Sequence, residues 1–192
     1  MVPMSDAWTG FSWVNDPVEG GVASDGTLRW ATRPQSDFWH HTGGVAGADD
    51  GDAFLVPVEG DFRATMSLRL QAGDQYDQCG VMVRADARHW VKAGIEVDGE
   101  RWLSVVETRG TSDWSRQRWS SDEVDLVVSR DGDTLAVAAV MGTDVVHVRQ
   151  LVLDGPVLVG PYSCAPKGDG FPVVVNLDAR DSGSLAFRAQ AG

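Results

Sequence analysis

Apolar and polar residues alternate with a period of two through most of this chain, and the alternating runs are separated by glycine, aspartate and proline. A period of two sends successive side chains to opposite faces of a strand, and no convincing stretch repeats at the i, i+3, i+4 spacing of an amphipathic helix. The pattern predicts strands over Thr27 to Ala31, Asp37 to His41, Ala53 to Val58, Asp61 to Leu70, Gln78 to Arg84 and Trp90 to Val97. It continues with Trp102 to Thr108, Val124 to Arg130, Thr134 to Met141, Val145 to Leu153, Val157 to Cys164 and Pro172 to Leu177. Roughly a dozen short strands, punctuated by hairpin turns such as Asp98-Gly99 and Asp131-Gly132, suit two packed antiparallel sheets. The tail, Arg180 to Gly192, carries no clear run, and Ser182-Gly183-Ser184 predicts fraying there. With 192 residues, the chain is expected to form one all-β domain.

The stretch Tyr76 to Val97, YDQCGVMVRADARHWVKAGIEV, alternates cleanly enough to assign faces. Cys79, Val81 and Val83 share one side of the first strand, and Val91, Ala93, Ile95 and Val97 share one side of the second. For both apolar sets to face the core, cross-strand partners must have residue numbers with an even sum, which favours a five-residue loop from Ala85 to His89. That register pairs Arg84 with Trp90, Met82 with Lys92, Gly80 with Gly94, and Gln78 with Glu96. The facing glycines then leave bare backbone between polar pairs, like the floor of a small binding site, unless another aromatic ring covers them. Lys92 and Glu96 lie four residues apart on a strand, about 13 Å at ~3.3 Å per residue, so each needs a partner elsewhere or a ligand.

Charge narrows the partners. Lys and Arg number 16 against 28 Asp and Glu, for a net charge of −12, which repels nucleic-acid phosphates and anionic membranes. Neither nucleic acid nor membrane is an expected partner, and nothing in the pattern bears on oligomeric state. Met1 to Asp16 shows no basic segment followed by an apolar run, so a cytoplasmic location is expected. Cys79 and Cys164, each in or beside a strand-like run, read as buried free thiols. No CxxC or histidine-rich cluster suggests a metal. No glycine-rich turn before a helix suggests a nucleotide, so no cofactor is expected.

Several motifs together resemble a known family, the concanavalin A-like family named after a regulation-of-enolase protein. They are Trp13-Val14-Asn15-Asp16-Pro17, Asp37-Phe38-Trp39, Tyr76-Asp77-Gln78-Cys79-Gly80 with Met82 and Arg84, and Trp90-Val91-Lys92-Ala93-Gly94-Ile95-Glu96. Ser112-Asp113-Trp114-Ser115 and Val159-Gly160-Pro161-Tyr162, leading to Cys164 and Pro166, complete the set. The resemblance implies a two-sheet antiparallel jelly-roll sandwich of the lectin/glucanase type, whose concave sheet carries the polar groups of the central hairpin. Much of the family has no assigned function. The chain departs from it at Met141-Gly142-Thr143-Asp144-Val145-Val146-His147, where a Ser-x-Asp-Gly turn and a tryptophan are usual, and at Val173 and Val175, where aromatics are usual.

The expected site is therefore a concave cleft that binds a polar small molecule, a saccharide or a phosphorylated metabolite. Lys92, Arg84, Gln78 and Glu96 supply its hydrogen bonds. Trp90, Trp39 and Trp114 are stacking platforms for a flat or sugar-like ligand, each with core packing as its alternative. His40 and His41 follow Trp39 along a strand, so one of them, taken as His41, should point outward where it can move a proton. On the following strand either Ser104 and Thr108 or Leu103, Val105 and Glu107 can face the cleft. Leu103 and Val105 are the better core residues, which favours Ser104 and Thr108.

Two further classes stay open. One is an enzyme without metal or nucleotide, a hydrolase, lyase or isomerase, in which Glu96 moves a proton and Lys92 stabilises negative charge. The other is a regulatory protein that docks on a metabolic enzyme. Glu96-Val97-Asp98-Gly99-Glu100 matches the E-x-D-x-E strand of concanavalin A-like glucanases. Here Asp98-Gly99 should turn the chain and carry Glu100 away from the cleft.

Overall fold

The computed structural model describes residues 7–192, so the part of the N-terminal reading that falls on residues 1–6 lies outside it. In chain order the strands are β1 (Ser12–Trp13), β2 (Gly20–Val22), β3 (Leu28–Ala31), β4 (Phe38–Trp39), β5 (Ala48–Asp49), β6 (Asp52–Val58), β7 (Phe62–Leu70), β8 (Gln78–Asp86) and β9 (His89–Asp98). They continue as β10 (Glu100–Arg109), β11 (Thr111–Trp119), β12 (Glu123–Asp131), β13 (Thr134–Met141), β14 (Asp144–Val152), β15 (Val157–Cys164), β16 (Pro172–Asp181) and β17 (Ser184–Ala191). A seven-stranded sheet runs β1-β6-β15-β8-β9-β10-β11, and an eight-stranded sheet runs β14-β13-β12-β7-β17-β16-β3-β2. β4 and β5 pair only with each other.

The main core lies between the large sheets and is built by alternation. Cys79, Val81, Val83, Val91, Ala93, Ile95, Leu103 and Val105 enter it from one sheet, and Ala64, Met66, Leu68, Leu126, Val128 and Phe187 from the other. The turn dipeptides act as expected, with Gly99 and Gly132 at φ 69° and 61°. Gly142, at φ 64°, turns β13 into β14, so the departure from the family pattern there keeps the hairpin. Val173 and Val175 pack fully into the main core in place of aromatics.

The tail corrects the sequence reading. Residues 184–191 form β17, which lies in the eight-stranded sheet between β16 and β7 and is parallel to β7. Leu185, Phe187, Ala189 and Ala191 alternate into the core, and Gly183, at φ 80°, makes a hairpin turn where Ser182-Gly183-Ser184 predicts fraying. β11 was also unpredicted. Its sequence TSDWSRQRW has no apolar face, because an edge strand buries little and resembles a loop in hydropathy.

The central hairpin has the predicted register, with Gln78 opposite Glu96, Gly80 opposite Gly94, Met82 opposite Lys92 and Arg84 opposite Trp90. Its end differs. Asp86 pairs with His89, and a bulge between Arg84 and Asp86 absorbs the odd residue, so the loop is shorter than five residues.

Candidate functional site

The second face of the seven-stranded sheet, turned away from the main core, can be laid out from the strand registers. Cys164, Gln78, Glu96, Trp102 and Arg118 form one row across β15, β8, β9, β10 and β11. The next rows are Tyr162, Gly80, Gly94, Ser104 and Arg116, then Gly160, Met82, Lys92, Val106 and Trp114, then Leu158, Arg84, Trp90, Thr108 and Ser112. Ser104 and Thr108 thus share the face of Lys92 and Glu96, while Leu103 and Val105 enter the main core. Gly99 turns the chain so that Trp102, not Glu100, stands opposite Glu96. Glu100 remains exposed at the hairpin tip, paired with Arg118.

This face is buried rather than open. Phe38, Ala53, Leu55, Met82, Trp90, Val106, Tyr162 and Cys164 make a second apolar core on it, closed by the segment 32–52 that carries β4 and β5. Two ion pairs pin that segment down. Lys92 Nζ donates to Asp37 Oδ1 at 2.8 Å, and the Arg84 guanidinium donates to both oxygens of Asp49 at 2.9 Å. The Asn15 amide donates to the carbonyls of Asp49 and Gly51 at 3.0 and 2.7 Å. At the other end the His40 amide donates to Ser112 Oγ at 2.9 Å. Lys92 is only 2 % exposed and lies 5.9 and 5.8 Å from the ring centres of Trp90 and Tyr162. Burial opposes its charge most strongly, but the charge and hydrogen bond of Asp37, with Cys164 and Glu96 adding, hold the pKa above the ordinary lysine value.

Several expected ligand contacts are therefore internal ones. Trp90 is fully buried against Phe38 and presents no free stacking face. Thr108 is fully buried and shares a hydrogen bond of 2.7 Å with Ser112. Arg84 and Lys92 hold Asp49 and Asp37 rather than facing a cleft. The paired glycines answer to the backbone, because a Cβ on Gly80 would lie 1.9 Å from the Ala93 carbonyl oxygen and one on Gly94 would lie 2.1 Å from that of Cys79. Tyr162, opposite Gly80, is the aromatic residue beside them, and its hydroxyl reaches Gln78 Oε1 at 3.4 Å. Cys79 and Cys164 are buried free thiols on opposite faces of the sheet.

What stays accessible is a mouth at the β10–β11 end of the cover. Trp114 is 37 % exposed. It meets Trp39 edge-on at 6.4 Å and Tyr76 edge-on at 6.5 Å between ring centres, and its Nε1 donates to Ser104 Oγ at 2.9 Å. The Arg116 guanidinium carbon lies over the rings of Trp114 and Trp102, 4.6 and 4.2 Å from their centroids, and its charge is held by Asp98 at 2.6 Å. Behind these rings sits Glu96, 6 % exposed, whose Oε2 has no hydrogen-bond partner. Burial lifts its pKa above the ordinary glutamate value; a hydrogen bond from Ser104 and the charge of Lys92 pull the other way, and Asp37 adds to the rise. Gln78 is buried beside it and donates to the Tyr76 carbonyl at 3.2 Å. His41 is exposed with a left-handed backbone at φ 33°, while His40 is tied to the Ala87 carbonyl at 3.0 Å.

A family model described as a protein of unknown function, DUF1349, matches residues 13–177. The chain belongs to the DUF1349 family. It is 30 % identical over 168 residues to a Saccharomyces cerevisiae protein named Regulation of enolase protein 1, a match that covers 84 % of each. The DUF1349 fold seen here is similar to the crystal structure of a functionally unknown protein from the same yeast, with TM-score 0.80, 31 % identity, and coverage of 87 % of this chain and 93 % of that one. It is also similar to part of the GH43 protein BlXynB from Bacillus licheniformis, with TM-score 0.64 and 13 % identity over 85 % of this chain and 35 % of that one. At that identity the likeness is one of fold alone. The DUF1349 chain is thus a lectin/glucanase-like jelly-roll sandwich.

Of the residues expected in the site, Gln78, Glu96, Ser104, Trp39 and Trp114 come together at the mouth. Arg84, Trp90 and Thr108 lie deeper, under the cover, and Lys92 joins the two zones through Asp37. The sequence reading missed Asp37, Asp49 and Tyr76 as site residues. Two of them lie inside motifs that carry the family resemblance, Asp37-Phe38-Trp39 and Tyr76-Asp77-Gln78. Asp49 sits in a polar loop that no pattern singles out.

Proposed function

We propose that this chain is a binding module for a neutral, polyhydroxylated small molecule, a saccharide by its chemistry, held at the mouth framed by Trp39, Tyr76 and Trp114. The observation that carries the reading is the buried, unpartnered Glu96 Oε2 beneath those rings. A buried polar atom without a partner is costly, and a ligand hydroxyl supplies the missing hydrogen bond. The tryptophans cover the C–H face of a sugar ring while Glu96 and Gln78 take its hydroxyls. A phosphorylated ligand fits less well, because the two buried cations it would need are already bound to Asp37 and Asp49.

The test is a thermal-shift screen of neutral mono- and disaccharides against sugar phosphates and organic acids. A neutral sugar at ten times its Kd should raise the wild-type Tm by about 3–5 °C, and Glu96→Ala should abolish the rise. A response to sugar phosphates alone, or to no compound, overturns the reading. Turnover of the bound sugar, followed by NMR, would replace a binding role with an enzymatic one that uses Glu96.

The name of the yeast relative supports a second reading, a protein that acts through a metabolic enzyme. Met141, Val145 and Val152, each at least half exposed along β13 and β14, are the apolar residues such a contact would use. Sedimentation of the chain with enolase separates the readings. A faster boundary that Val145→Asp abolishes favours docking, and unchanged boundaries remove it.

A further inference from the structure

We propose that the loop from Gly73 to Asp77, where it meets Lys167 to Asp169, is a divalent-cation site that takes calcium. Asp77 is 3 % exposed, and its Oδ1 is buried without a hydrogen-bond partner. It does not stand alone. A Cβ placed on Gly168 would lie 2.8 Å from Asp77 Oδ1 and 2.9 Å from Asp74 Oδ2, so an oxygen of each carboxylate lies against the same residue, one with no side chain. Calcium accepts oxygen ligands in flexible number at about 2.3–2.6 Å, and completes its shell with backbone carbonyls and water.

Among the described residues, no cation pairs directly with Asp77 or Asp74. The other oxygen of Asp77 accepts the Asp74 amide at 3.0 Å, a bond that closes the loop without neutralising either carboxylate. The cation whose charge acts on Asp77 is Arg101, and its guanidinium is bound to Asp122 at 2.7 Å. Burial first, and then the charge of Asp74, push the Asp77 carboxyl up to about 6.

The loop is also under strain, since Tyr76 holds φ 69°, a conformation that costs an aromatic residue free energy. Backbone hydrogen bonds from Tyr76 to Val97 and from Val97 to Asp77 fasten the loop to the end of β9. A cation bound to Asp74 and Asp77 would brace the turn that presents Tyr76. The site stands on its own observations, whatever the mouth binds.

Terbium, which replaces calcium and is excited through a nearby tyrosine, is the direct probe. Titrated into the full chain it should luminesce through Tyr76, and calcium should displace it with a midpoint in the range of about 0.1–1 mM. At 10 mM calcium the Tm should rise by about 3–8 °C, and chelator should reverse the rise. Asp77→Asn and Gly168→Ala, the first removing a charge and the second filling the space, should each abolish both signals. Asp77→Asn should also melt higher than wild type in chelator, which shows that it folds. An unchanged wild-type Tm at 10 mM calcium would overturn the proposal. Calcium effects that persist in Asp77→Asn would overturn it too, placing the ion elsewhere on this acidic chain.

Discussion

Strands β8, β9 and β10 bury both of their faces, and they do so by different physics. On one face Cys79, Val81, Val83, Val91, Ala93, Ile95, Leu103 and Val105 meet the other sheet, and water is excluded by apolar packing alone. On the other face Gln78, Arg84, Lys92, Glu96, Ser104 and Thr108 are just as inaccessible, but they are closed off by a segment that brings its own carboxylates. The first face is held by area removed from water. The second depends on pairing, because a charge taken out of water is tolerated only beside its counter-charge. A polar stripe on a strand is therefore not the same as an exposed one.

The comparison breaks most readily at Asp37. Asp37→Leu leaves the Lys92 ammonium buried without its partner and should cost about 3–5 kcal/mol, read from urea denaturation at pH 7. Combined with Lys92→Met, most of that loss should return, since an apolar pair needs no counter-charge. On the inner face Ile95→Ala should cost about 2–5 kcal/mol through a cavity, with no recovery from any change of charge. If Asp37→Leu costs under about 1 kcal/mol, the second face is not held by its ion pairs. Asp49→Asn should come next, at about 1–3 kcal/mol, because Asp49 is a third exposed and water can reach Arg84 when the pair is broken.

Acid sharpens the contrast. Asp52 is fully buried; burial lifts its carboxyl to about 6, against the hydrogen bond from the Arg33 amide and the charge of Arg33, with Asp50 adding to the rise. A folded-state value above the unfolded one means that the folded protein binds more protons in the interval between them. The resulting stability is fully present below about pH 3.8 and is lost as pH rises through about 6. Each such aspartate contributes on the order of 2 kcal/mol, and Asp77, also lifted to about 6, acts in the same direction. Asp52→Asn should remove its share of the slope between pH 4 and 6. A wild-type stability that stays flat across that interval would show that water reaches Asp52.

Much of this fold was legible because alternation and turns are local signals. The even-sum register of the central hairpin followed from Val81, Val83, Val91 and Ile95 alone, and the bulge near Ala85 changed only the loop. β17 and β11 were not legible for opposite reasons. β17 builds its core face from two alanines with Leu185 and Phe187, a weak signal behind a Ser-Gly-Ser turn. β11 has charge on both faces. At the site, alternation placed Gln78, Lys92 and Glu96 on one face correctly, and the apolar character of Leu103 and Val105 put Ser104 beside them, yet a strand pattern says nothing about what lies over it. Asp37 reaches Lys92 across 55 positions of chain, and Asp49 reaches Arg84 across 35. Those distances in sequence are why two apparent ligand-binding cations proved to be fastenings.

Trp114 carries the most informative expected change. It is 37 % exposed, so Trp114→Ala removes less buried area than the loss of a fully buried tryptophan and should cost about 2–3 kcal/mol, the Ser104 contact included. Trp90→Ala, one cross-strand row away but fully buried, should cost about 3–5 kcal/mol. If the mouth is a sugar site, the order reverses for binding. Trp114→Ala should weaken affinity at least tenfold, measured by calorimetry, because half of the stacking surface disappears while Glu96 stays in place. Trp114→Phe keeps an aromatic face but not the indole hydrogen bond to Ser104, and should retain most of the affinity. Equal losses in Trp114→Ala and Trp114→Phe would mean that the indole N–H, by fixing Ser104 against Glu96, matters more than the ring, and the ligand would then be recognised by hydrogen bonding rather than by stacking.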